Sequence, residues 1–149
     1  GQLRGTVYRQ TMFAEFEGEL GRRAGRGETL TADALDEKYL ALNRLYFGPN
    51  MVSDAQIALE WARIPHFYYN YYVFQYATGF SAAVALADRI LRESEPAVAD
   101  YKRFLSGGSS TDPISLLKLA GVDMSTPAPV DAALAMFGEL VDELDALTR

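Results

Sequence analysis

Apolar positions along this chain recur every three to four residues, the spacing that gathers them on one face of a helix. Val7, Met12, Phe13, Phe16 and Leu20 form the first such stripe, and the glycine-bearing stretch from Gly21 to Gly27 ends it. Thr31 is placed to N-cap a second helix that carries Leu35, Tyr39, Leu42 and the pair Leu45-Tyr46. Gly48-Pro49-Asn50 closes that helix, because proline cannot continue it and glycine suits its C-terminal end. Ser53 with Gln56 three residues on reads as a capping box for a third helix through Trp61. Pro65 removes a backbone donor and crowds the preceding turn, so a bend or restart is expected there. From His66 the pattern predicts a long helix to about Arg92, and its second half, Ser81 to Ala87, is rich in small residues that let neighbours approach closely.

Further on, Pro96 suits the first turn of a short helix that reaches Leu105 before Ser106-Gly107-Gly108-Ser109-Ser110 interrupts it. Asp112-Pro113 and Thr126-Pro127 each supply a capping residue followed by a proline for the last two helices. In the final one Leu134, Phe137, Val141 and Leu144 are expected to form a core stripe. No stretch alternates with a period of two for long enough to suggest a sheet. The expected fold is all-α, six or seven helices in a single helical (sub)domain over residues 1–149.

Composition narrows the function more than the fold. The net charge is −6, which sets nucleic-acid binding aside as a main activity. The basic group Arg22, Arg23 and Arg26 is surrounded by Glu17, Glu19 and Glu28 and reads as a solvated helix end. There is no cysteine, so disulfides and thiolate metal sites are absent and a cytoplasmic setting is favoured. No apolar run approaches the roughly 20 residues a membrane span needs, so no membrane partner is expected. The chain opens Gly1-Gln2-Leu3-Arg4, with neither an initiator methionine nor a signal sequence, and is expected to be part of something longer.

Catalytic motifs are mostly missing. His66 is the only histidine, so the chain holds no H-E-x-x-H zinc site, and no Glu-x-x-His pair exists for a di-iron centre. No G-x-S-x-G elbow and no G-x-x-x-x-G-K phosphate loop occurs. The carboxylate pairs Asp36-Glu37 and Asp142-Glu143 sit on polar helix sides and read as solvated. A self-sufficient enzyme would be poorly equipped with this set.

One segment stands out: IPHFYYNYYVFQYATGF, residues 64–80, places eight aromatic residues between Phe67 and Phe80, five of them tyrosines, beside that histidine. A buried tyrosine needs a hydrogen-bond partner, so such crowding suits either a costly core or the lining of a polar cleft. On a helix Tyr69, Tyr72 and Tyr76 fall on one stripe, with His66 one turn before Tyr69. Phe67, Tyr71 and Phe74 fall on the opposite flank. A row of hydroxyls and an imidazole can hold a peptide carbonyl or a developing oxyanion. A core helix whose tyrosines each find a backbone partner is the plainer alternative.

The same segment resembles the C-terminal part of oligoendopeptidase F, in the thimet-oligopeptidase-like class of zinc metallopeptidases. YRQTMFAEFE, LTADALDEKYLALNRLYFGP and AGVDMSTPAPVDAALAMFGELVDELDAL agree with it in order, so the resemblance covers essentially the whole chain. It implies a helical peptidase fold around a deep substrate channel, acting on short peptides. It also implies a zinc ion whose ligands and general base lie upstream, so that no metal is expected bound here and this chain alone is expected to be inactive. By position it implies catalytic roles for His66, Tyr69 and Tyr76, with Tyr72 and Tyr68 as substrate-binding candidates. Phe74 stands where the family often carries tyrosine, which removes it as an essential hydroxyl. The partners implied are peptide substrates and the missing N-terminal part, with a dimer through the exposed docking face as a further expectation. The competing expectation is a stand-alone helical interaction module with an aromatic core.

Overall fold

The computed structural model describes residues 1–149, all helices, turns and loops. A π-type segment, Arg4–Tyr8, leads into α1 (Arg9–Gly25). It is followed by α2 (Ala32–Phe47), two 3-10 segments (Ala55–Arg63 and Pro65–Tyr68), and α3 (Phe74–Glu93). Then come α4 (Glu95–Ser106), α5 (Pro113–Leu119) and α6 (Ala128–Thr148). No helix is long and apolar enough to cross a membrane. The chain divides into two compact units, Gly1–Ala77 and Thr78–Arg149.

In the first unit the predicted stripes meet as a core. Met12, Phe13 and Phe16 from α1 pack with Tyr39 and Leu42 from α2, and with Ile64 and Val73. The Phe16 and Tyr39 rings meet edge-on, 5.2 Å between centroids, a geometry that adds about 1 kcal/mol beyond area burial. Thr31 caps α2 as expected, its Oγ1 accepting from the Ala34 N–H at 3.3 Å, and Gly48 ends the helix at φ 77°. Leu45, by contrast, is 71 % exposed and no part of the core.

Beneath that core lies a buried carboxylate the hydropathy pattern does not reveal. Glu60 accepts from the Tyr39 hydroxyl at 2.7 Å and from Arg9 at 2.6 Å, and it also pairs with Arg63. The Arg9 guanidinium in turn lies over the Phe13 ring. Burial alone would raise the Glu60 pKa; the hydrogen bonds from Arg9 and Tyr39 outweigh that and hold it below the usual carboxylate range. Asp36, expected to be solvated, instead accepts from the Trp61 indole N–H at 2.7 Å.

Three local expectations are corrected here. Ser53 does not cap the third helix: Asp54 does, accepting from the Ile57 N–H at 3.0 Å, while the Ser53 hydroxyl donates to Asn43. That element, Ala55–Arg63, is 3-10 rather than α-helical. The long helix from His66 does not form either. Phe67 and Val73 both reach the one core, yet six residues on a helix would place them about 120° apart. The chain reconciles them by turning at Asn70 and Tyr71, both left-handed (φ 52° and 61°), so α3 starts only at Phe74.

The second unit is built from smaller contacts. Ala82 and Leu86 of α3 pack against Ala120 and Val122, as the small-residue stretch allows. Asp112 caps α5 as expected, accepting from the Ser115 N–H at 2.9 Å. Arg89 donates to the Ala120 carbonyl at 2.5 Å, to Asp100 at 2.7 Å and to Glu93 at 3.0 Å. Thr126 does not cap α6, because its hydroxyl donates to the Asp123 carbonyl instead. The expected α6 stripe is not a core either: Pro129 and Ala133 are the buried residues, while Leu134, Val141 and Leu144 are exposed. Along α3, α4 and α5 runs an apolar groove of about 840 Å³ lined by Ala82, Ala83, Leu86, Tyr101, Phe104 and Leu116.

Candidate functional site

The part of the aromatic segment from Ile64 to Ala77 lies in the first unit, and the structure sorts its rings into two sets. Phe67 goes inward, its ring 5.4 Å from that of Phe13 and 5.3 Å from that of Phe16. His66, Tyr69, Tyr72 and Tyr76 gather on the outside. The imidazole is stacked on Tyr72 (5.7 Å, 19° between planes) and meets Tyr69 and Tyr76 edge-on, each at 5.8 Å. Tyr72 in turn touches Tyr69 at 6.0 Å and Tyr76 at 5.5 Å. The Tyr76 hydroxyl lies 3.3 Å from His66 Nε2.

The sequence groups these four residues on a helical stripe; the structure groups them by a different route. Pro65 opens the 3-10 turn that carries His66, and the chain then reverses at Asn70-Tyr71. Tyr76 comes from the first turn of α3, whose Tyr76 N–H donates to the Val73 carbonyl at 3.2 Å. Because Val73 is fully buried, that first turn is anchored where Tyr76 emerges. Tyr68 stands outside this set of ring contacts and is 74 % exposed. Phe74 is also exposed, and it offers no hydroxyl.

The cluster is open to solvent: Tyr69 is 59 % and Tyr76 37 % exposed. Four rings that pack on one another yet face water are arranged to present polar edges rather than to fill a core. A hydrogen bond with Tyr72 and partial desolvation raise the Tyr76 pKa above the ordinary phenol value. Its proton therefore stays in place at neutral pH, as a hydrogen-bond donor requires.

Sequence reasoning missed what holds the turn. The Tyr71 N–H donates to Glu17 Oε1 at 2.7 Å, across 54 positions of sequence. Glu17 is thus a buried acceptor on α1, not one of the acids around the basic helix end; there Glu19 pairs with Arg22 and Arg23, and Glu28 with Arg26. The residues of this chain do not fit a zinc site, since no three His, Cys, Asp or Glu side chains converge to hold a metal ion.

The model of peptidase family M3 matches residues 2–136. Oligopeptidase PepF of Bacillus subtilis (strain 168) is 58 % identical over 145 residues, 97 % of this chain and 22 % of that protein. The plasmid oligoendopeptidase F of Lactococcus lactis subsp. cremoris is 44 % identical over 147 residues, 99 % of this chain and 24 % of that one. The crystal structure of oligoendopeptidase-F from Enterococcus faecium matches with a TM-score of 0.94 at 48 % identity, over 97 % of this chain and 28 % of that one. The chain thus spans about a quarter of the length of the curated relatives it matches. A stand-alone interaction module is not favoured by these matches. With a family model covering most of its length and a near-superposable solved relative, the chain belongs to peptidase family M3.

Proposed function

We propose that this chain is the C-terminal part of an oligoendopeptidase that hydrolyses short peptides in the cytoplasm, and that it supplies the wall facing the scissile bond. The observation that carries the reading is the solvent-open cluster in which Tyr76 Oη lies 3.3 Å from His66 Nε2, with Tyr69 and Tyr72 packed on the same imidazole. Zinc, the family's metal, would be held by residues outside this chain.

What the residues here do is hydrogen-bond. A peptide laid along the wall offers backbone carbonyls to the Tyr69 and Tyr76 hydroxyls and to a His66 ring N–H. As a carbonyl carbon is attacked, its oxygen gains negative charge, and a donor about 3 Å away stabilises that charge more than the neutral carbonyl. Phenols do this without bringing a competing charge. Tyr72, stacked on the imidazole and hydrogen-bonded to Tyr76, orients both. Tyr68, outside the cluster, contacts the peptide only farther from the bond that is cut.

The test is kinetic and uses the full-length peptidase. Tyr76→Phe and His66→Ala are expected to lower kcat on a short peptide by about a hundredfold each, the scale of one oxyanion donor, and Tyr69→Phe by less. Turnover unchanged in all three would remove the assigned role. Chain 1–149 alone is expected to bind no stoichiometric zinc and cleave no peptide, and metal analysis finding one tightly held zinc per chain would contradict that. Its exposed rings and apolar helix faces are expected to make it dimerise in size-exclusion chromatography.

A further inference from the structure

The ring cluster is split by its own turn. His66 and Tyr69 precede the reversal at Asn70-Tyr71; Tyr72 and Tyr76 follow it. Their convergence therefore depends on two residues held in the left-handed region, at φ 52° and 61°. Asparagine tolerates that region, but tyrosine gains nothing from it, and a ring-bearing residue stays there only where its surroundings fix it.

What fixes Tyr71 comes from α1. Met12, Phe13 and Phe16 lock this helix into the core. Glu17, next in sequence and 9 % exposed, accepts the Tyr71 N–H at 2.7 Å. A carboxylate bonded to a backbone amide is a charge-assisted pair, stronger than a neutral one. One helical turn on, Gly21 makes room for the same residue. A Cβ built there would stand 1.8 Å from the Tyr71 hydroxyl and 3.0 Å from its ring carbon Cζ. So α1 holds Tyr71 twice, by its amide at Glu17 and by its phenol over Gly21.

We infer that Glu17 is a positioning residue for the peptidase reaction: it clamps the left-handed turn so that the two halves of the ring cluster meet. The inference rests on the proposed peptide-facing role of that cluster. Glu17 acts through Tyr71. When the clamp is released the turn relaxes, and Tyr72 and Tyr76 move away from His66.

The experiment is steady-state kinetics on the full-length peptidase with a short peptide, comparing Glu17→Ala, Glu17→Gln, Tyr76→Phe and the double variant Glu17→Ala/Tyr76→Phe. Glu17→Ala is expected to lower kcat about tenfold with KM changed less than about threefold, because the loss falls on the transition state. Glu17→Gln keeps a carbonyl acceptor for the Tyr71 N–H and is expected to stay within about threefold of the parent. In the Tyr76→Phe background the Glu17→Ala loss should shrink below about threefold, since misplacing a hydroxyl that is already absent costs little. A Glu17→Ala loss of equal size in both backgrounds would mean general destabilisation and would overturn the clamp. A Glu17→Ala enzyme with parental kcat beside an impaired Tyr76→Phe enzyme would overturn it too, leaving the ring cluster's role intact. Parental turnover in Tyr76→Phe itself would remove that role, and the clamp with it. If Glu17→Ala does not fold, Gly21→Ala carries the test, because alanine favours the helix while its methyl displaces the Tyr71 phenol. A kcat loss in Gly21→Ala that Tyr71→Phe relieves supports the clamp, and an unchanged kcat overturns it.

Discussion

The two units of this chain solve the packing problem in opposite ways. The first, Gly1–Ala77, buries large rings: Phe13, Phe16 and Tyr39 interlock, and a buried carboxylate satisfies the one phenol among them. The second, Thr78–Arg149, joins small side chains, Ala82 and Ala120 among them, and leaves an apolar groove along α3, α4 and α5. Leu91, Leu105, Leu140, Leu144 and Leu147 of that unit are exposed as well. Large interlocking rings fix positions tightly, which is what the donor role proposed for the ring cluster requires. The ring cluster accordingly stands on the first unit.

The largest break in that contrast is expected at Glu60. Glu60→Ala strands the Tyr39 hydroxyl and one side of Arg9 in the interior and should cost about 3 kcal/mol, read as a lower denaturant midpoint. Glu60→Gln, which keeps an acceptor, should cost less. In the second unit the corresponding staple is Arg89, which closes on the Ala120 carbonyl over Gly121. Gly121 has φ 78°, and a Cβ there would lie 2.3 Å from Arg89 Nη1, so strain and collision coincide. Gly121→Ala is expected to cost about 2 kcal/mol, and native-state hydrogen exchange should place the loss in the second unit.

Much of this architecture was legible in the residues, and the failures have one physical origin. Helices ended by local chemistry were read correctly: Thr31, Gly48 and Asp112 act through neighbours a few positions away. What failed depended on partners far along the chain. The 3.6-residue period predicted one helix from His66 onward; Glu17, 54 positions from Tyr71, favours a turn instead. Asp36 looked solvated until Trp61 reached it. The α6 stripe looked like core because periodicity reports a face, not what covers it. Among the candidate residues, the grouping of His66, Tyr69, Tyr72 and Tyr76 was legible, whereas the turn that assembles them was not.

Acid should separate the units as well. Burial pushes the Glu60 pKa up and the Arg9 and Tyr39 hydrogen bonds pull it down further, so the folded value lies below the ordinary 4.5. A carboxylate with a lowered folded value contributes stability that is complete above its unfolded value and is lost as pH falls through the folded one. Below pH 4.5 the first unit should therefore lose stability with each step of acidification, and Glu60→Gln should flatten that slope. The Tyr39 phenol moves upward through burial and the Glu60 carboxylate, so it adds no titration near neutrality. Hydrogen exchange measured between pH 6 and pH 3 checks the slope, and equal slopes in parent and variant would show that Glu60 does not set it.

The smallest effect gives the sharpest contrast, because one chemical change should have opposite signs in the two units. Val73 is fully buried in the cluster with Phe13, Phe16 and Ile64, so Val73→Leu adds a methylene to a sealed core position. Overpacking of that kind typically costs about 1–3 kcal/mol. Ala83 borders the groove along α3 and is exposed, so Ala83→Leu lets a side chain lie down on apolar surface that water now covers. Burying part of a leucine there, in a helix that favours leucine over most residues, should stabilise by about 0.5 kcal/mol. Paired denaturant titrations of the two variants decide the matter. A destabilised Ala83→Leu would mean that the groove closes in solution and that the second unit is packed as tightly as the first.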